Sequence, residues 1–281
     1  MIKPISDEQA SDKIKEKYQI IKQALDSLTL PIFFTYISVF PEYFDYITNQ
    51  LIINLNDKKF KDLAYETALQ IKDLISTTLQ QSDETQQWLF RYRNTPNFYN
   101  FQKDIHKIFE MNMKMAFIFV ALREAVKGWA VAAKQLPSQI LKTDFNKSKD
   151  KINDFVYSDI MSIVNNANLD NQQITNLKNG LLETNTNQGL EKNWLPEYLH
   201  LCRMDFMDFV KREDFLIMRL GIEKIILASL PLFPNLVFSP INVVLQLTEK
   251  YPDFSDLLFL LCEDFPTIAV QKLIFSGYML S

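Results

Sequence analysis

Two polar side chains sit out of place in this sequence, and both are of types that can do chemistry. Asn112 has Ile105, Ile108, Phe109, Met115, Ala116 and Phe119 at three, four and seven residues' distance, so a helix there turns the amide inward. A buried amide costs roughly 1–3 kcal/mol unless its donors and acceptor are satisfied. It therefore either ties helices together or serves a site. Asp205 has Tyr198, Leu201, Cys202 and Phe209 at helical spacing, with Asp208 and Arg212 towards the other side. It lies on the border of the apolar and polar arcs. The alternatives are a surface carboxylate, solvated or paired with Arg212, and a partly dehydrated general base able to activate water.

Other catalytic signatures are absent: no GxGxxG, P-loop, GxSxG or HExxH. His106 has Gln102, Lys103 and Glu110 as helical neighbours, and His200 has Glu197 and Arg203, so both histidines read as surface residues. Cys202 and Cys262 lie far apart among apolar neighbours and read as small reduced core residues. Any chemistry must come from carboxylates, amides or hydroxyls, with no metal site and no cofactor.

The elements that must position these residues are helices. Only 5 glycines occur in 281 residues, fewer than sheet turns and bulges usually need, and no stretch alternates as a strand does. The 22 Phe and 11 Tyr imply cores walled by rings. Helical patterns run from Ser11-Asp12 to Thr29-Leu30-Pro31, from Pro31 to Val39, from Pro41 to about Leu55, from Asp57 to Leu79, and from Pro96 to about Lys134. They resume at Pro196, after Asp214, at Pro240 and at Pro252. Residues 165–193, crowded with Asn, Gln and Thr, read as a polar linker between a first half, 1–164, and a second, 194–281.

The halves look alike. Pro-acid/amide-aromatic recurs as Pro41-Glu42-Tyr43, Pro96-Asn97-Phe98, Pro196-Glu197-Tyr198 and Pro252-Asp253-Phe254. Each is a helix start, proline pre-set for the first position and the acid facing free N–H groups. Pro41 to Phe60 and Pro196 to Phe215 share Pro, Glu, Tyr and Phe at the same offsets, 155 residues apart, and Gln50 stands opposite Asp205. The fold expected is all-α, two related helical repeats packed face to face as a pseudo-dimer in one chain.

A net charge of −4 without a basic stripe argues against nucleic acid. The longest apolar run, Met115 to Leu122, is too short to span a bilayer, and Glu263 and Asp264 would be repelled by an anionic lipid surface. Met1 to Lys13 lacks the apolar core of a signal peptide, which makes the cytoplasm the expected compartment.

These segments resemble the group I (DehI-type) 2-haloacid dehalogenases. LTLPIFFTYISVFPEYFDYI is similar to that family's first repeat, MNMKMAFIFVALREAVKG to its stretch with an inward Asn, WLPEYLHLCRMDFMDF to the helix holding its catalytic aspartate, and LLFLLCEDFPTIAVQKLIFSGYML to its closing helices. Met111 stands where the family usually has an aromatic. The resemblance implies a site between two repeats, where an Asp, assisted by an Asn, deprotonates water that displaces halide from a 2-haloalkanoic acid with inversion. Residue by residue, these are Asp205 and Asn112. It implies no cofactor, a short-acid substrate, and a chain that can pair as a homodimer. The alternative is a catalytically silent helical scaffold that binds a small ligand or a protein partner.

Overall fold

The computed structural model describes residues 2–134, 156–157, 160 and 194–281, and the polar linker expected at 165–193 lies outside them. Every regular element among the described residues is helical. In the first half these are α1 (Asp12–Leu25), α2 (Phe33–Ile37), α3 (Pro41–Asn56), α4 (Lys58–Thr78), α5 (Asp83–Tyr92) and α6 (Pro96–Lys134). The second half contributes α7 (Trp194–Phe209), α8 (Glu213–Ser229), α9 (Ile241–Lys250), α10 (Phe254–Phe259) and α11 (Phe265–Tyr278). A 3-10 turn, Leu230–Leu232, follows α8, and a π-helical turn, Leu260–Asp264, joins α10 to α11.

Local chemistry sets the boundaries. Pro41 opens α3, where its missing N–H would have no partner in any case. Asp57 caps α4 by accepting from the N–H groups of Lys59 (2.7 Å) and Phe60 (3.4 Å). Ser82 caps α5 through Thr85 N–H. The α1 pattern was expected to continue to residues 29–31, but the helix stops at Leu25. Asp26 adopts a left-handed φ of 53°, and its own N–H and that of Ser27 close onto the carbonyls of Gln23 and Lys22. The sequence reading placed no helix at α5, whose ten residues bury only Thr85 and Trp88.

The core forms where α6 lies along α11, with α4 and α8 packed against both. Met115 to Leu122 is buried throughout, as a helix apolar on every side must be. Phe33 of α2 packs on Phe119 at 4.4 Å and on Phe265 at 5.2 Å, linking the two long helices through rings. Gly277 marks the tightest approach: a Cβ there would stand 2.7 Å from Ile75 Cδ1 and 3.0 Å from Phe109 Cε2. Gln102 Nε2 donates to the Met279 carbonyl at 3.1 Å, fixing the end of α11 on α6. None of the described helices is long and apolar enough to cross a membrane.

Candidate active site

Asp205 sits on α7 where that helix meets the N-terminus of α5 and the end of α11. Its Oδ2 accepts from Thr85 Oγ1 at 2.7 Å, from the Ser82 backbone N–H at 3.3 Å and from the Tyr278 hydroxyl at 2.5 Å. Its Oδ1 accepts no hydrogen bond from the described residues. Thr85 is fully buried and is itself oriented by Ser82 Oγ, which donates to it at 3.1 Å. Burial above all, then the neighbouring Cys202 and the bond to Asp205, pushes the Tyr278 phenol far above its usual range, so it remains a donor. Arg212, expected beside Asp205, turns instead to Asp214, with Nε 3.0 Å from Oδ1. The short step from Arg212 to Asp214 at the start of α8 forms a closer pair than one two turns back along α7.

The walls around the carboxylate are aromatic. The Phe209 ring meets Tyr278 edge-on at 5.2 Å, and Trp88 stacks on Tyr198 at 4.7 Å. Trp88 Nε1 donates to Glu197 at 3.3 Å. The Tyr198 hydroxyl is buried without a hydrogen-bond partner among the described residues, and desolvation pushes its pKa well up. The Cys202 thiol, wholly buried beside it, is pushed up for the same reason. His106 pairs with Glu110 at 3.4 Å, and both it and His200 face solvent.

Asn112 is buried at 2% exposure, and its amide donates to the Lys272 carbonyl (3.2 Å) and to Ser276 Oγ (3.1 Å). It ties α6 to α11. Ser276 and Tyr278, the α11 partners of Asn112 and Asp205, are two residues apart and so point to nearly opposite sides of the helix. The described residues bring Asn112 and Asp205 to one helix but not to each other.

Several contacts of α7 have a counterpart across the molecule, made by α3. Gln50, at the matching position of α3, reaches the α8–α9 loop, accepting from Phe238 N–H at 2.8 Å and donating to its carbonyl at 3.2 Å. Asn54 grips Asn235 in the same loop by a pair of bonds at 2.9 and 3.2 Å. Glu42 accepts from Lys250 and, at 2.5 Å, from the Tyr251 hydroxyl, while Glu197 accepts from Trp88. Tyr43 meets Phe254 edge-on at 5.0 Å, and Tyr198 meets Phe98 edge-on at 5.5 Å. Asp205 stands out in the sequence, whereas its hydrogen-bond partners Ser82, Thr85 and Tyr278 do not. Only the capping pattern Ser82-x-x-Thr85 was visible, and it carries no sign of a distant carboxylate.

No protein-family profile matches the chain, and no curated protein matches it in sequence. Among solved structures, the chain superposes on a D-2-haloacid dehalogenase mutant determined with D-2-CPA, with a TM-score of 0.65 at 11% identity, covering 100% of this chain and 96% of that one. The described residues and that protein share a helical fold.

Proposed function

We propose that this protein is a hydrolase of carbon–halide bonds in short 2-haloalkanoic acids. The observation that carries the reading is the Asp205 carboxylate, with Oδ2 held by three donors and Oδ1 left open beside aromatic walls. A general base must be oriented and still have a lone pair to offer. The shared fold with a D-2-haloacid dehalogenase supplies the substrate class by analogy. In the proposed step Asp205 Oδ1 takes a proton from water, the hydroxide oxygen attacks C2 as the carbon–halogen bond breaks, and halide leaves with inversion. Asn112 acts as a positioning residue, locking α6 to α11, whose Tyr278 holds the base.

We also infer that the two halves are related repeats. Opposed contacts support this: Gln50 with Phe238 against Asp205 with Ser82, and Tyr43–Phe254 against Tyr198–Phe98, are the reciprocal pairs an isologous interface makes.

The same reciprocity favours a second reading, a catalytically silent scaffold in which Asp205 is a structural latch like Gln50. Halide release from D- and L-2-chloropropionate, run beside Asp205→Asn, decides between them. The enzyme reading requires release by wild type and a loss of about 10²–10⁴-fold in a folded variant. A folded wild type that releases no halide from either enantiomer overturns it and leaves the scaffold.

A further inference from the structure

On the other arc of α7 from Asp205, two adjoining cavities of about 320 and 160 Å³ share Val210, Lys211 and Gln271 in their walls. They lie between the end of α7, the start of α8 and α11.

The larger cavity is cationic. Arg219 lines it, and its guanidinium makes no hydrogen bond to any described residue; its Nε is buried and unpartnered. The nearest carboxylate, Glu223, divides between two cations: Oε2 bonds Arg123 Nη1 at 3.1 Å, and Oε1 forms an ion pair with Arg219 Nε at 3.9 Å, too long for a hydrogen bond. Arg123 and Lys127 also face Glu124, so three cations share two carboxylates and one positive charge is left over. A buried guanidinium N–H without an acceptor is costly, and a bidentate anion is the acceptor its fork fits. Gln271, whose side-chain amide bonds no described residue, adds a donor on the facing helix. Lys211 and Arg212 are already paired, with Asp208 and Asp214, and Glu213 is exposed on the rim.

The rest of the groove is apolar. Val210, Leu216 and Met207 are 40–47% exposed along it, and Phe206 and Val156 line the smaller cavity. A guanidinium short of hydrogen-bond acceptors beside a partly exposed apolar trough suits an acid with a hydrocarbon chain.

We propose that this groove binds a small aliphatic monocarboxylate, its carboxylate on Arg219 and Gln271 and its chain running past Val210 towards Phe206 and Met207. The site is separate from Asp205 and stands whether or not halide is released there.

Isothermal titration of the full chain with hexanoate, 1-hexanol and inorganic phosphate tests it. Hexanoate should bind with a dissociation constant on the order of 0.1–1 mM, with the alcohol and phosphate at least about tenfold weaker. Arg219→Met should lose hexanoate by about tenfold or more. Should Arg219→Met fail to fold, Gln271→Leu supplies the comparison, with a severalfold loss expected. No hexanoate binding by wild type, or equal binding of phosphate, alcohol and hexanoate, overturns the proposal.

Discussion

Gln50 and Asp205, 155 positions apart, perform matching tasks in opposite halves: each leaves its own helix to hold the segment preceding a short helix of the other half. They differ in what they leave behind. Gln50 bonds an exposed backbone group, whereas Asp205 holds a fully buried threonine and the phenol of a buried tyrosine. Asp205→Ala should therefore cost about 2–4 kcal/mol in urea unfolding and Gln50→Ala about 1 kcal/mol, because only the first strands buried donors. Equal losses would show that burial does not set the difference.

Asn112 offers a test of the helix tie. Replacement by Leu removes the amide from Lys272 O and Ser276 Oγ, yet Ser276 keeps its own bond to the Lys272 carbonyl at 2.8 Å. We expect a loss of about 1–3 kcal/mol, read as a lower urea midpoint at unchanged slope.

Two helical glycines should respond with opposite signs. A Cβ on Gly221 meets only Leu74 Cδ2 at 3.8 Å, an ordinary contact, so Gly221→Ala should stabilise α8 by about 0.5–1 kcal/mol. At Gly277 the approach of 2.7 Å to fully buried Ile75 leaves no room, and Gly277→Val should cost about 2 kcal/mol or more. Thermal melts of the two variants should bracket the wild type.

Acid should loosen α3 from α9. Bonds from Lys250 and then Tyr251 pull the Glu42 carboxyl down from 4.5 to about 2. A depressed acid contributes stability that is complete above its unfolded value and fades as pH falls through the folded one. The contribution is therefore present at pH 7 and lost between about 4.5 and about 2. Glu42 is exposed, so solvent screens the effect. The stability gap between wild type and Glu42→Gln should narrow from pH 6 towards pH 2, and a constant gap would remove Glu42 from the acid response.

The two thiols should separate kinetically. Cys262 is partly exposed, whereas Cys202 is wholly buried and its thiol is pushed up by burial. A colorimetric disulfide reagent should titrate one thiol in the native protein and the second only after unfolding.

The helices were legible where the signal was local. Pro41, Asp57 and Pro96 announced α3, α4 and α6, and the inward turn of Asn112 followed from its apolar neighbours. What the sequence could not reveal was pairing at a distance. Arg212 lay in register with Asp205, but nothing local reveals that Ser82 and Tyr278, 123 and 73 residues away, would occupy it. The left-handed Asp26 was hidden too, since an aspartate suits a helix end only when the next turn closes behind it.

The seam of α6 against α11 has a consequence for a chain still leaving the ribosome. Phe109, Asn112 and Gln102 on α6 find their partners on Gly277, Ser276 and Met279, more than 160 residues later. At a synthesis rate of about 5–20 residues per second, the apolar face of α6 waits on the order of ten seconds before its cover emerges. During that interval a nascent chain carries the apolar run Met115 to Leu122 without its α11 cover, which makes α6 a segment for a chaperone to meet.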